Sequence, residues 1–450
     1  MKRLTIGLFF VMMLSCNKYV QVTTPPNQLT NATVFSDDNS AKAALSGIYS
    51  HMLESPGDFA GQLPILTGLY ADELTNFSTD PRQIQFYLNS VNASNTLMGT
   101  VWANLYKYIY ETNSGIEGLN ASANISGTVK QLLLGEAKFV RAFCYFYLVN
   151  LFGDVPLVTS TDFAANAVLS RSNQSVVFNQ IIKDLSDAED LMLADYSYSG
   201  EERLRPMKWA ATALLARVYL FQKNWTLAEE KSTEVIDQTA LYSLDILGNV
   251  FKKNSMEAIW QIEPVSPGYN TWDGFNFILY TPPTNVALNN VYIEDFELND
   301  NRRTIWIDSL LDQGVIYYFP NKYNIKTGDE LSEYQVVLRL AEQYLIRAES
   351  RAQLDENTAI DDLNFIRQRA GLDSYAGPID RASILESIYH ERKTELFCEW
   401  GHRWLDLKRT QRANATLSLI KPGWKITDTL LPILQTDILN DPNLAQNPGY

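Results

Sequence analysis

The sequence is poor in the residues that build metal centres and disulfide frameworks. Its 450 residues include only three cysteines and three histidines, which argues against a Cys/His metal cluster and against a disulfide-rich scaffold. It also lacks a glycine-rich phosphate loop, a His-Glu-x-x-His motif and a Gly-x-Ser-x-Gly elbow, the short motifs that mark common enzyme classes. We therefore expect no enzymatic activity, no cofactor and no metal site.

The sequence has fewer basic residues than acidic ones. The chain has 37 Lys and Arg against 52 Asp and Glu, a net charge of −15. Because binding to phosphate-rich polymers needs clusters of basic side chains, nucleic acid is not an expected partner. The negative charge favours a neutral ligand over a polyanion. Aromatic residues, in contrast, are abundant: 24 Tyr, 20 Phe and 9 Trp, of which some are expected to serve a ligand instead of the core.

The N-terminus has the pattern of an export signal. Lys2 and Arg3 precede an apolar stretch at 4–14, which is too short for a spanning helix of about 20 residues and is typical of a signal peptide. The stretch ends in a small residue followed by Cys16, which resembles a bacterial lipobox. This pattern predicts a signal peptide over 1–15, lipidation of Cys16 and a polar tether over 16–36. The alternative is an ordinary signal peptide with a chance cysteine.

Helical periodicity dominates the rest of the chain. Apolar residues recur at intervals of three and four, which predicts helices over 41–52, 98–120, 129–152, 174–193, 209–222, 225–238, 333–354, 357–370, 380–399 and 401–413. In the fifth and sixth of these, Leu215, Ala216, Tyr219 and Ala228 have the spacing of a tetratricopeptide-like helix pair. No other helix pair shows this spacing as clearly.

The segment 239–330 differs from its surroundings. Tyr, Pro, Gly, Asn and Asp are frequent there, and only 257–263 reads as a strand with alternating side chains. We expect no helix in 264–290, where prolines and glycines are dense. A long irregular segment inside a helical body is often functional.

A series of short motifs runs through the chain in order. They are Leu134–Ala142, Leu151–Leu157, Lys208–Tyr219, Leu338–Glu342, Asn364–Leu372, Glu391–Leu396, Gly401–Arg409 and Gln446–Tyr450. Together they resemble the SusD/RagB family of Bacteroidetes outer-membrane lipoproteins over nearly the whole mature chain.

The resemblance implies a mainly α fold: one helical body of four tetratricopeptide-like helix pairs, an irregular loop-rich ligand face and a few short strands. It divides the mature chain into an N-terminal SusD-like helical region at 37–238, the loop-rich ligand face at 239–330 and a C-terminal RagB/SusD helical region at 331–450. It also implies capture of oligosaccharides, or in some members peptides, by a lid on a SusC-like TonB-dependent transporter. The expected location is the outer membrane, with Cys16 as lipid anchor and the body facing the extracellular side.

Charged residues are concentrated near the C-terminus. Within sixteen positions the chain carries Glu391, Arg392, Glu395, Glu399, Arg403 and Asp406. We interpret them as a structural ion-pair network between helices. The alternative would use Glu391 and Glu395, one helical turn apart, as a catalytic acid and base.

Two loops carry candidate ligand-binding residues. A sugar ring presents an apolar face that aromatic side chains can cover, and hydroxyl groups that polar side chains can bind. The candidates that combine these properties are Tyr269, Asn270, Trp272, Asp273, Phe275 and Tyr280 in one loop, and Asp72 and Arg82 in a loop at 72–95. The alternative is that these side chains fold inward to cover the helical body.

Three functions are compatible with these sequence features. The first is oligosaccharide capture for a TonB-dependent transporter. The second is peptide capture by a protein of the same architecture, in which backbone-pairing grooves would matter more than aromatic rings. The third is a structural or assembly subunit without a small ligand.

Overall fold

The computed structural model describes residues 34–450. The predicted signal peptide, the predicted lipidation site Cys16 and the tether as far as residue 33 lie outside the described residues. Within the described part the fold is mainly helical with a few short strands, which confirms the predicted fold class.

The N-terminal region contains the predicted long helices together with shorter ones. Its helices are α1 (Asp38–Met52), α2 (Phe59–Tyr70), α3 (Pro81–Tyr87), α4 (Thr96–Ala121), α5 (Gly127–Phe152), α6 (Phe163–Asn166), α7 (Gln174–Leu191), α8 (Lys208–Phe221) and α9 (Trp225–Ile236). Helix α2 was not predicted, because it contains Pro64 and is buried on all sides, so it has no amphipathic stripe to recognise.

Helices α8 and α9 form the predicted tetratricopeptide-like pair. Ala216 and Ala228 are fully buried where the two helices meet, and Ile346 of a later helix packs into the same cluster. The half-buried rings of Tyr219 and Trp225 cover the cluster. Small residues at a crossing let helix backbones approach closely, which explains the spacing seen in the sequence.

Residues 34–450 contain four two-stranded antiparallel sheets, and two of these sheets join distant parts of the chain. The pairs are β1 (Leu74–Asn76) with β5 (Val286–Leu288), β2 (Val155–Pro156) with β3 (Arg171–Ser172), β4 (Ala258–Ile262) with β8 (Gln335–Arg339), and β6 (Ile307–Asp312) with β7 (Val315–Pro320). Strand β4 is buried along its whole length, so the predicted alternation of exposed and buried side chains is absent from it.

Two predictions were wrong, one for a helix just after the irregular segment and one for the absence of helix within it. The predicted helix over 333–354 begins only at Leu340, because residues Gln335–Arg339 form β8 and pair with β4. A short helix, α10 (Trp272–Phe277), lies where no helix was expected. The hydroxyl of Thr271 accepts a hydrogen bond from the backbone N–H of Gly274, and such an N-cap starts a helix even in a glycine-rich loop.

The remaining helices complete the body. They are α11 (Asn290–Ile293), α12 (Arg302–Ile305), α13 (Leu340–Gln353), α14 (Ala359–Arg369), α15 (Arg381–Glu395), α16 (His402–Arg409), α17 (Ala413–Leu417) and α18 (Gln435–Asn440), with 3₁₀ turns at Ser197–Ser199 and Ile426–Thr429. Helix α15 ends four residues earlier than predicted. The following turn has positive φ angles at Cys398, Trp400 and Gly401, which a helix cannot accommodate.

A buried charge network joins the irregular segment to the C-terminal helices. It consists of the acids Glu257, Asp300, Glu391, Glu395 and Glu399 and the bases Arg302, Lys322, Arg339 and Arg369. All nine residues lie in the interior or at its margin.

Arg339 lies at the centre of this network. Its Nη1 donates to Glu257 Oε1 at 2.9 Å and to Glu395 Oε1 at 2.6 Å. Its Nε donates to Glu399 Oε2 at 2.8 Å, and Nη2 donates to Glu399 Oε1 and to the Glu395 carbonyl oxygen, both at 2.9 Å. A guanidinium has five N–H donors, so every donor of Arg339 has a partner.

We expect Arg339→Met to lower the free energy of unfolding by about 3–5 kcal/mol, because it leaves buried carboxylates without their counter-charge. Urea unfolding followed by circular dichroism measures this change. The control is Arg381→Met, since Arg381 pairs with Asp355 at the surface and exposed pairs contribute about 0–1 kcal/mol. Equal effects of the two substitutions would contradict a central role for Arg339.

Candidate ligand-binding face

The two predicted ligand loops are joined by a small sheet. Strand β1 pairs with β5 so that Leu74 lies opposite Leu288 and Asn76 lies opposite Val286. The pairing continues beyond the strands, because the backbone N–H of Phe77 donates to the Asn285 carbonyl oxygen at 2.8 Å. The chain therefore brings together two loops that are about 200 residues apart in sequence.

Gln83 reinforces this junction. Its Nε2 donates to Asn285 Oδ1 at 2.8 Å and to Asn76 Oδ1 at 2.9 Å. The side chain of Gln83 is buried. Because a buried carboxamide is stable only when it is hydrogen-bonded, Gln83 fixes the position of both loops.

Three of the predicted aromatic residues pack against each other. The Tyr269 ring centroid lies 5.0 Å from that of Trp272 and 5.2 Å from that of Phe275, and the Trp272 and Phe275 centroids are 5.7 Å apart. Tyr269 and Phe275 are half-buried. Trp272 is 6% exposed and its Nε1 donates to the Leu53 carbonyl oxygen at 2.8 Å. The indole thus faces the helical body instead of the solvent.

Tyr280 is the exposed ring of this loop, with 67% of its surface accessible. Lys326 supports the backbone beside it, since Nζ donates to the carbonyl oxygens of Phe275 at 2.6 Å and Ile278 at 2.7 Å. The same Nζ lies 5.2 Å from the Phe275 ring centroid and 6.0 Å from that of Tyr280. Burial lowers the pKa of Lys326.

A second ring pair joins Phe77, which lies in the predicted ligand loop at 72–95, to Tyr317, which was not predicted. Phe77, which is 38% exposed, makes an edge-to-face contact with Tyr317 of β7 at 5.6 Å between centroids. Strands β6 and β7 are joined by Gln313 and Gly314, both with positive φ, as in a two-residue hairpin turn. The run of β-branched and aromatic residues at 315–319, directly after a Gln-Gly turn, is the sequence signal that identifies this hairpin.

We call the five accessible or half-buried rings of these loops the ring face. Its members are Phe77, Tyr269, Phe275, Tyr280 and Tyr317. Its two groups of rings are linked through the backbone, because the chain runs from Tyr280 to Asn285, whose carbonyl oxygen accepts from the Phe77 N–H. Apolar ring surface of this kind can cover the C–H face of a sugar, and the Tyr hydroxyls can bind its hydroxyl groups.

The polar candidates of the same loop lie inside the protein. Asn270 Nδ2 donates to the Glu330 carbonyl oxygen at 3.0 Å, and its Oδ1 accepts from the backbone N–H groups of Ser332 and Glu333. Asp273 accepts a hydrogen bond from Gln335 Nε2 at 2.8 Å. Both side chains are buried, so their hydrogen bonds hold the loop in place, which differs from the expected exposed arrangement.

Asp72 and Arg82 occupy different environments. Asp72 is buried and accepts two hydrogen bonds of 2.7 Å from Arg403. Burial opposes ionisation of Asp72, but Arg403 and Lys393 hold its pKa below the usual value. Arg82 is exposed, pairs with Asp80 and donates from Nη1 to Thr96 Oγ1 at 3.0 Å. Of the two residues, Arg82 is the one that a ligand can reach.

Glu391 and Glu395 lie in the buried charge network. Glu391 contacts Arg302 Nη1 at 2.5 Å, and Glu395 contacts the same nitrogen at 3.0 Å. Burial opposes ionisation of Glu395, but Arg369, Arg339 and Arg302 hold its pKa well below the usual value. Neither carboxylate is exposed, so this geometry offers no substrate an approach to an acid–base pair.

The other members of the predicted ion network also form ion pairs. Arg392 Nε donates to Asp406 Oδ2 at 2.8 Å, and Lys322 pairs with Glu399 at 2.5 Å.

Within residues 34–450, no group of three or more His, Cys, Asp or Glu residues is arranged to hold a metal ion. In the same part of the chain, no helix is both long and apolar enough to cross a membrane.

Comparisons with known proteins agree with this architecture. A family model described as "Starch-binding associating with outer membrane" matches residues 30–220, and a SusD family model matches residues 294–450. Two SusD-like proteins of Formosa agariphila, P25 and P2, are 25% and 26% identical to this chain. The alignments cover 88% of the chain and 87% of P25, and 95% of the chain and 95% of P2.

Solved structures show the same fold. A SusD superfamily protein from Bacteroides vulgatus has a TM-score of 0.81 at 20% identity, over 92% of this chain and 99% of the other. A laminarin-binding SusD-like protein has a TM-score of 0.76 at 25% identity, over 92% of this chain and 100% of the other. The molecule is therefore a mainly helical protein of the SusD-like class. The chain belongs to the SusD/RagB family, which confirms the predicted resemblance.

Trp272 and Tyr280 should respond differently to truncation. We expect Trp272→Ala to lower the free energy of unfolding by about 3–5 kcal/mol, because it removes a large buried ring. Tyr280→Ala should change it by no more than about 0.5 kcal/mol, because the ring is at the surface. Chemical denaturation of both variants tests this, and a small effect of Trp272→Ala would show that the indole is not part of the core.

Proposed function

We propose that this protein is an outer-membrane lipoprotein that captures oligosaccharides on the ring face and delivers them to a SusC-like TonB-dependent transporter, on which it acts as a lid. The observation that carries the proposal is the set of accessible rings on a loop-built face, in a chain that belongs to the SusD/RagB family. A binding role also fits the interior position of Glu391 and Glu395.

The contacts around the ring face hold its rings in place for a ligand. Tyr280 and Phe77 project from backbone that is held by Lys326 and by the β1–β5 junction. Rings on a fixed backbone lose little conformational freedom when a ligand binds, so their contact area is converted efficiently into affinity. The similarity to a laminarin-binding protein supports a neutral glucan as the first ligand to test.

Isothermal titration calorimetry with oligosaccharides from laminarin and starch, and with peptides of similar length, tests this proposal. We expect heat with an oligosaccharide. Tyr280→Ala and Tyr317→Ala should each weaken binding by about 0.5–1.5 kcal/mol, roughly a two- to twelvefold rise in Kd, because each removes a stacking surface. The control is Tyr110→Ala, since Tyr110 is an exposed tyrosine on α4.

The other outcomes identify the alternatives. Heat with peptides alone would support a peptide-capturing homologue. Absence of heat with every ligand, together with co-purification of a transporter barrel, would support an assembly subunit. An equal loss of affinity in the Tyr110→Ala control would exclude the ring face as the binding site.

Membrane anchorage can be tested separately. We expect Cys16→Ser to move the protein from the membrane fraction to the soluble fraction and to abolish incorporation of a labelled fatty acid, because the thiol is the proposed acylation site. Cys144→Ser is the matched control, since Cys144 is a buried free thiol on α5. Membrane retention of the Cys16→Ser protein would refute lipid anchorage at this residue.

A further inference from the structure

A buried acid–amide contact holds helix α10, which carries Phe275 of the ring face. Gln335 Nε2 donates to Asp273 Oδ2 at 2.8 Å, and both side chains are buried. The other two oxygens of the pair, Asp273 Oδ1 and Gln335 Oε1, have no hydrogen-bond partner among residues 34–450. Both unpartnered atoms are acceptors when Asp273 is ionised.

A single proton would satisfy both oxygens. A buried acceptor without a partner loses its hydrogen bonds to water and gains none in return, so two of them on neighbouring side chains are unfavourable. A carboxylic acid can donate from one oxygen and accept at the other, and a carboxamide can do the same with its nitrogen and oxygen. An acid and an amide can therefore form a closed ring of two hydrogen bonds.

We propose that Asp273 is a protonated carboxylic acid that donates from Oδ1 to Gln335 Oε1 and accepts from Gln335 Nε2, and that this cyclic pair positions helix α10 beneath the ring face. Asp273 is then a positioning residue and makes no contact with a ligand.

The charged groups around Asp273 favour this protonation state. A small cavity beside the carboxyl group is lined by Lys322, Tyr323, Cys398 and Glu399. Lys322 uses its three donors on the Glu395 and Phe397 carbonyl oxygens and on Glu399 Oε1, so none is left for Asp273. The hydroxyl oxygen of Tyr323 accepts from the Val336 backbone N–H.

These surroundings also explain how tightly Asp273 holds its proton. Burial, opposed by the hydrogen bond from Gln335 and assisted by the negative charge of Glu399, raises the pKa of Asp273 to about 7. Cys398 is a buried thiol whose own pKa is raised by burial, so it adds no charge at neutral pH. The positive charge of Lys322 lowers the pKa of Asp273, but Lys322 also forms an ion pair with Glu399 at 2.5 Å.

The position of α10 leaves little room for adjustment. A Cβ atom on Gly274 would lie 2.4 Å from the Ile325 carbonyl oxygen, and a Cβ atom on Gly61 would lie 3.0 Å from Trp272 Cβ. Helix α10 is therefore in close contact with the backbone on both sides. Loss of the proton would place an unpaired charge beside this contact and weaken it.

The sign of the pH effect follows from linkage. In the unfolded chain Asp273 ionises near pH 3.8, whereas in the folded protein it keeps its proton to about pH 7. Between these values the unfolded state loses a proton that the folded state retains, so stability contributed by this group falls as pH rises, and it becomes constant above about pH 7.

The test compares Asp273→Asn with the natural protein in urea unfolding from about pH 4 to about pH 8. The asparagine amide can replace the acid as donor, so we expect Asp273→Asn to fold and to lose part of the decline in stability between these pH values. Glu73→Gln is the matched control, because burial raises the pKa of Glu73 to about 7 as well, but Glu73 bonds to the Cys398 backbone N–H. That substitution should remove only the part of the decline that Glu73 contributes and leave the part due to Asp273 unchanged.

Infrared spectroscopy provides the second measurement. With isotope-labelled aspartate, we expect a protonated carboxyl band at about pH 6 that is absent from Asp273→Asn. The neighbouring cavity has room for about one water molecule, and a water bridging an ionised Asp273 would give no such band and would make Asp273→Asn less stable at every pH. Either result would overturn the proposal.

The effect on a ligand rests on the proposed function. If the ring face binds an oligosaccharide, affinity should fall from about pH 6 to about pH 8 in the natural protein and change less in Asp273→Asn. If no oligosaccharide binds at any pH but the infrared band is present, the proposed function is refuted. The acid–amide pair is then still supported by the band. Absence of the band would refute the pair whatever the protein binds.

Discussion

The structure depends on the burial of the Arg339 guanidinium with all five of its donors satisfied. Its partners come from separate parts of the chain: Glu257 precedes β4, Glu395 ends α15, and Glu399 follows in the next turn. Strand β8, which ends at Arg339, pairs with β4, so the irregular segment between the two strands starts and ends at the same place. Because that segment carries most of the ring face, the buried charges determine where the rings lie.

The same interaction explains why the residues of one family motif lie in the interior. Glu391, Arg392 and Glu395 belong to a motif that carries the family resemblance, yet all three are buried. Removing charges from water is costly, and the cost is recovered only when each charge has close partners in a fixed geometry. Such a network tolerates few alternative arrangements. The residue types at these positions are therefore constrained by the network, whereas a loop that only presents a surface carries no such constraint.

Local pattern determined how much of the fold could be predicted. Helices with one apolar stripe were found because their periodicity is contained in a single segment. Helix α2 and strand β8 were not, because both are buried on every side and an apolar run has no period to read. The pairing of Asp72 with Arg403 joins residues 331 positions apart, and no local pattern contains that information. The helical body was thus predictable, and the contacts of its loops were not.

The chemistry of the side chains explains which predicted ligand residues face inward. An indole buries a large apolar surface and has one donor, so a single carbonyl oxygen satisfies Trp272 in the interior. The carboxamide of Asn270 can bind several backbone groups at once, which makes it more effective as a loop brace than as a surface residue. Tyr280 has no such internal role. A ring that remains exposed without contributing to the core has its apolar surface free for a ligand. We therefore expect the ligand specificity of the ring face to reside in its tyrosines and Phe77. The buried polar side chains would hold these rings in position.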